Sequence, residues 1–129
     1  MNIMEKIFEE SKTIAVVGLS SNPSRPSYMV ARYLQSQGYK IIPVNPNEKE
    51  IFGEKSYPDL VSVPDKIDIV DIFRRSEEVS PIVDQAIKIK AKVIWMQEGI
   101  VNEESAKKAS EAGLTVIMDK CMYKEHSRL

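Results

Sequence analysis

Five short apolar runs, Ile14–Val17, Lys40–Val44, Ile67–Phe73, Val93–Met96 and Leu114–Met118, are separated by segments of helical pattern. This alternation constrains the fold more than any other feature of the chain. The runs are rich in Val and Ile and show little polar alternation, the pattern of strands covered on both faces. Strands joined by helical crossovers run parallel, and the crossovers are right-handed. The expected class is therefore α/β, a Rossmann-like doubly wound parallel sheet of about five strands in the order 3-2-1-4-5. In that order the switch point lies between the first and fourth strands.

Local signals place the helices. Ile3–Glu10 puts Ile3, Ile7 and Phe8 on one face of a short leading helix. Tyr28–Gln37 is helical, with Pro26 near its first turn and Gly38 just past its end. Ser80-Pro81 opens a helix to about Lys90, with Ser80 as N-cap. Asn102 caps a helix that carries Glu103 and Glu104 early and Lys107 and Lys108 late, which suits the helix dipole. Asn47–Pro64 is expected to be irregular, broken by Gly53, Pro58 and Pro64. Asp119–Leu129 is expected to be a polar tail.

At 129 residues the chain suits one domain spanning 1–129. A net charge of −1 argues against a sequence-independent grip on nucleic acid. No apolar run nears the ~20 residues of a membrane span, and Met1–Lys6 lacks signal-peptide character. The one cysteine, Cys121, cannot form an intrachain disulfide and fits a reducing compartment, so a cytoplasmic location is expected.

In doubly wound sheets ligands bind beyond the carboxyl ends of the strands. The residues after each run are thus the site candidates. After the first run stands Gly18-Leu19-Ser20-Ser21-Asn22-Pro23-Ser24-Arg25-Pro26-Ser27-Tyr28. Gly18 matches the first glycine of the dinucleotide fingerprint, but Ser20 and Pro23 occupy the other two glycine positions. A run of hydroxyls and amides with Arg25 inside it replaces the glycines. A helix N-terminus, serine hydroxyls and a guanidinium together suit a phosphate ester; the plainer alternative is a strand–helix turn with solvated serines. After the second run, Val44-Asn45-Pro46 puts Asn45 where a dinucleotide site carries a ribose-binding carboxylate. Lys49 follows as a candidate for additional phosphate; the plainer alternative is an ordinary Asn-Pro turn.

Phe73-Arg74-Arg75 offers an aromatic and two guanidiniums for an adenine ring or its phosphates. They read equally as the last core residue of a strand and two solvated arginines. Trp95 is a core residue, and Gln97 and Glu98 fall where the cleft is expected, with no second catalytic group evident beside Glu98. Cys121 with Lys120 and His126 has the composition of a reactive thiol, able to form a mixed disulfide, but the spacing has no specificity. A buried or tail thiol and a surface histidine are the plainer reading. No metal-ligand spacing is present.

Several blocks together resemble the small stand-alone CoA-binding domain family, which is similar to the N-terminal CoA-binding domain of succinyl-CoA synthetase α subunits. They are Val17–Pro23, Arg25–Tyr28, Pro43–Pro46, Val70–Arg75, Trp95–Ile100, Asp119–Cys121 and Glu125-His126. The resemblance implies a Rossmann-like domain that binds coenzyme A, free or acylated, and no catalytic residue. It implies the diphosphate at Gly18–Ser27, the adenosine beside Val44, Asn45 and Pro46 with Phe73–Arg75 nearby, and a cleft lined by Gln97 and Glu98. His126 does not inherit the phosphorylated-histidine role of the ligase's second domain. Two alternatives remain open: an NAD(P)-binding oxidoreductase or acyl-CoA-handling enzyme, and a nucleotide-sensing regulatory or interaction module.

Overall fold

The computed structural model describes residues 1–129. The element order is α1 (Ile3–Glu10), β1 (Thr13–Val17), α2 (Pro26–Ser36), β2 (Lys40–Val44), β3 (Glu50–Ile51), β4 (Glu54–Lys55), β5 (Ile69–Ile72), α3 (Val79–Lys88), β6 (Val93–Met96), α4 (Glu103–Glu111), β7 (Thr115–Ile117) and α5 (Met122–Ser127). Five of the strands form one sheet in the order β2-β1-β5-β6-β7, and every pairing within it is parallel. The doubly wound parallel α/β fold expected from the alternation is the one observed.

The strand order needs one correction of assignment. Ile69–Ile72 pairs with β1, so it occupies the fourth position of a 3-2-1-4-5 sheet, not the third. The third position is reduced to a single parallel bridge between Val44 and Tyr57. There Tyr57 N–H donates to Pro43 O at 3.0 Å, and Asn45 N–H donates to Tyr57 O at 2.8 Å. Pro58 follows immediately and has no N–H to extend the ladder. The topological switch point therefore lies between β1 and β5.

Alternate residues of each strand feed two cores. Ala15, Val17, Val70, Ile72, Ile94 and Met96 pack under α3 and α4. Ile14, Val16, Ile69, Val93, Trp95 and Ile117 pack under α1, α2 and α5. Trp95 is fully buried, as its sequence position implied, and its indole N–H donates to Lys120 O at 2.8 Å.

Several boundaries differ from the sequence reading. α2 starts at Pro26, whose missing N–H is no loss at a first helical position. A 3₁₀ turn, Ser76–Glu78, runs directly into α3, so Ser80 lies inside the helix and is not its cap. The 47–64 stretch holds the β3–β4 hairpin and a 3₁₀ turn at Leu60–Ser62. Residues 119–129 are not a free tail: α5 buries Met122 against the sheet and brings His126 edge-on to Phe8, with ring centroids 5.0 Å apart.

Asp71 sits mid-strand in β5, in register with Val16 and Trp95. It is fully buried, and neither carboxyl oxygen has a hydrogen-bond partner. Burial pushes its pKa well above the usual carboxylate range. A folded-state pKa above the unfolded one contributes stability that is full below the unfolded value, ~3.9, and that is lost as pH rises through the folded value. Asn cannot ionise. Asp71→Asn should therefore gain on the parent protein as pH rises from 4 toward 8, by up to about 1.4 kcal/mol per pH unit. Urea unfolding at pH 4, 6 and 8 reads this, and a pH-independent difference contradicts it.

Candidate functional site

The carboxyl ends of β1, β2, β5 and β6 open onto one edge of the sheet. Gly18 ends β1 there with φ +90°, and its N–H donates to Val44 O at 2.9 Å. A Cβ on Gly18 would lie 2.4 Å from Phe73 O, so glycine is required both by the backbone conformation and by the close approach of β5. This contact brings the Gly18–Ser27 loop and the Phe73–Arg75 segment side by side.

Three depressions adjoin along this edge. A notch of about 280 Å³ is lined by Gly18, Ser20, Arg25, Pro26, Ser27 and Phe73. A cleft of about 630 Å³ at the switch point takes in Phe73, Arg74, Arg75, Gln97, Glu98 and Cys121. A third, of about 410 Å³, lies toward the α3 side between Val17, Val44, Pro46, Leu60, Arg74 and Ile82. Phe73 and Pro26 are shared by the notch and the cleft, and Arg74 by the cleft and the third cavity.

The loop satisfies most of its own backbone donors. Ser20 N–H donates to Ser27 Oγ at 3.0 Å, Asn22 N–H to Ser20 Oγ at 3.0 Å, and Ser24 N–H to Asn22 Oδ1 at 3.0 Å. Ser21 N–H is taken by the Glu48 carboxylate at 2.9 Å. What remains for a ligand is narrower than a ring of free N–H groups. Ser20 and Ser27 use their hydroxyl oxygens as acceptors in those bonds, so both hydroxyl protons are free to donate. The N–H of Ser27, in the first turn of α2, has no acceptor four residues back within the helix. The Arg25 side chain is exposed and forms no ion pair.

Charge accounting singles out two guanidiniums. Arg75 is held by Glu78 at 3.2 Å and Glu77 at 3.6 Å, and the Glu78 hydrogen bond is the chief cause of its raised pKa. Lys124 neutralises Glu98 at 2.9 Å, and Asp119 accepts from Gly99 N–H at 2.7 Å. Arg74, like Arg25, has no carboxylate partner. Its Nε lies 3.2 Å from where a Gly18 Cβ would stand. The carboxylates of this edge are thus occupied while two guanidiniums are free.

The family model for the CoA binding domain matches residues 12–127. The chain belongs to the CoA-binding domain family. Its likeness to the Bacillus subtilis protein YneT is 44% identity over 124 residues, covering 96% of this chain and 92% of that one. A solved structure from Pyrococcus horikoshii OT3 superposes with a TM-score of 0.95 at 44% identity, covering 98% of this chain and 89% of the other. The ADP-forming acetate–CoA ligase II of Archaeoglobus fulgidus is 32% identical over 87 residues, 64% of this chain but 13% of the ligase. The chain thus spans about an eighth of that enzyme's length.

Within this CoA-binding domain the expected residues divide. Gly18, Ser20, Arg25, Ser27, Val44, Pro46, Phe73, Arg74, Arg75, Gln97 and Glu98 line the three depressions. Leu19 does not, being fully buried under α2. Ser21 gives its N–H to Glu48, Asn22 bonds Ser20 and Ser24 within the loop, and Tyr28 turns edge-on to Phe52 with centroids 4.9 Å apart. Asn45 is a buried brace: its Nδ2 donates to Leu19 O at 3.0 Å and its Oδ1 accepts from Asn47 N–H at 2.9 Å. Gln97 is nearly buried, and its Oε1 accepts from Met122 N–H at 3.2 Å. Lys49 is exposed and lines none of the three depressions.

Cys121 is half-buried in the cleft wall. His126 is not a surface residue poised beside it. Its Nδ1 shares a 2.7 Å hydrogen bond with the Tyr33 hydroxyl, and burial lowers its pKa. Glu48 escaped the sequence reading. Its signal was the Asn45–Glu48 turn, an Asx pattern that folds the chain back onto the first loop.

Gly18→Ala should destabilise the fold by at least about 2 kcal/mol, since it combines a positive φ with a backbone collision. Denaturant unfolding checks this, and a loss below about 0.5 kcal/mol would show that β1 and β5 separate easily.

Proposed function

We propose that this protein binds coenzyme A along the carboxyl edge of its sheet and acts as a carrier or sensor of the cofactor with no chemistry of its own. The observation that carries the reading is the adjoining set of depressions furnished with two unpaired arginines. A ligand with several phosphates, a purine and a long neutral arm matches that sequence of surroundings.

In this reading the notch takes the diphosphate. The Ser20 and Ser27 hydroxyls and the Ser27 N–H donate to its oxygens, and Arg25 closes over it with a forked, charge-assisted geometry. The cavity beside Val44, Pro46 and Leu60 takes the adenosine, with Arg74 between base and phosphates. The pantetheine arm crosses Phe73 into the switch-point cleft toward Gln97, Glu98 and Cys121. NAD fits less well, because Asn45 stands in place of the ribose-binding carboxylate and its amide is already committed within the fold. With no general acid and base pair in the cleft, the residues hold a ligand and offer no route to transform it.

Isothermal titration with CoA, NAD, NADP and ATP should rank CoA tightest, and NAD binding as tightly as CoA overturns the reading. Arg25→Ala should weaken CoA by about 1.5–3 kcal/mol, the range for hydrogen bonds to charged groups, with thermal stability unchanged. Affinity in the parent should also fall with added salt, more steeply than in the variant.

A further inference from the structure

The apolar depression between α2 and α5 lies beside the ligand edge and plays no part in the account above. It has a volume of about 360 Å³ and is lined by Pro26, Met29, Val30 and Tyr123, with no charged side chain among them. Met29 is 62% exposed and Tyr123 46% exposed, two large apolar side chains left at the surface on neighbouring helices. Tyr123 is fixed there by Tyr33, whose ring meets it edge-on at 4.6 Å. The other wall is one face of α2, where Pro26, Met29 and Val30 fall at positions i, i+3 and i+4.

The depression is joined to the ligand edge. Pro26 and Val30 also line the switch-point cleft, and Pro26 also lines the phosphate notch. Ser27, in the notch, precedes Val30 by three residues, about 4.5 Å along the helix axis. An arm lying in the cleft against Pro26 and Val30 thus has the depression directly beyond those two residues.

We propose that this depression receives the acyl group of a CoA thioester, so that the preferred ligand is an acyl-CoA with an aliphatic chain and not free CoA. The proposal rests on the CoA reading given above and assigns it a ligand class. Three observations support it. The lining is apolar, as a hydrocarbon chain requires and a phosphate or sugar does not. It adjoins the place where the pantetheine arm ends. A flexible methionine forms the outer wall, a side chain that adapts to chains of differing length. A second copy of the protein is a weaker occupant, since a stable interface needs about 800 Å² from each partner, more than four side chains present.

Isothermal titration of the full chain with CoA, acetyl-CoA and hexanoyl-CoA tests this. Each methylene buried should tighten binding by up to about fourfold. Hexanoyl-CoA is expected to bind at least about tenfold tighter than CoA, with acetyl-CoA between them. Met29→Gln, a neutral polar change at an exposed helical position, should remove most of the gain and leave the affinity for CoA itself unchanged. Tyr123→Ala should do the same, with circular dichroism confirming that α5 is intact. Equal affinity for CoA and hexanoyl-CoA, or the full gain retained in Met29→Gln, overturns the acyl site and leaves the CoA reading standing. Failure of CoA and both thioesters to bind overturns both.

Discussion

The contact between Gly18 and Phe73 is the constraint on which the rest of this structure depends. Central strands of a parallel sheet can end at any length, but here β1 must stop where its backbone touches that of β5. Phe73 N–H donates to Val17 O at 2.8 Å while Gly18 N–H donates to Val44 O at 2.9 Å. The end of β1 is thereby pinned to both neighbours in consecutive residues. The chain leaves the sheet at Gly18 in a conformation that side chains rarely tolerate, and that exit direction sets the path of the serine loop. The same pinning brings Arg74 against the loop. A two-residue junction at the switch point thus decides which cations face which hydroxyls, some fifty residues apart in sequence.

The loop that leaves this junction differs from a glycine-rich phosphate cradle in a way that has energetic consequences. A cradle of free N–H groups is costly to bury empty, because each unpaired donor forfeits its hydrogen bonds to water. Here Ser20, Ser21, Asn22 and Ser24 place their N–H groups on neighbouring oxygens, so most of the loop's donors are satisfied without a ligand. Binding then relies on hydroxyl protons and guanidinium groups, which water solvates well in the empty state. Such a site is pre-formed and rigid in its backbone and adjustable in its side chains. It gives up some electrostatic strength in exchange for a loop whose donors are mostly paired without an anion.

The fold class was legible from the alternation of apolar runs, and a parallel sheet leaves few places for a candidate site. The details that escaped were tertiary in origin. The 119–129 segment has a polar surface pattern, and only the packing of Met122, Tyr123 and His126 against Phe8 and Tyr33 makes it a helix. The strand positions were miscounted because a third strand cut down to one bridge at Tyr57 has no apolar run to announce it. Asn45 was readable as a site residue by position but serves as a brace, since spacing cannot reveal that its amide is already spent. Asp71 was visible as one acidic residue inside an apolar strand, and the sequence gives no hint that it stands without a partner.

The distribution of charge along the carboxyl edge follows from these placements. An overall charge of −1 would suggest no preference for an anionic ligand. Local pairing reverses that. Glu48, Glu77, Glu78, Glu98 and Asp119 all stand near the edge, and each is matched by a backbone N–H or a basic side chain of the protein. Those pairs are exposed, so each adds little to stability. Their effect is instead on the field: a carboxylate with a fixed cation or dipole beside it repels an incoming phosphate far less than a bare one. Arg25 in the notch and Arg74 in the two neighbouring depressions have no such carboxylate beside them. Lys124 contributes to this from α5, the last helix of the chain. The C-terminal segment thus shapes the site twice, by neutralising Glu98 at the cleft and by supplying Tyr123 to the apolar wall beside it. A ligand that is polyanionic at one end and apolar at the other meets the two kinds of surface in the order in which the chain has laid them down.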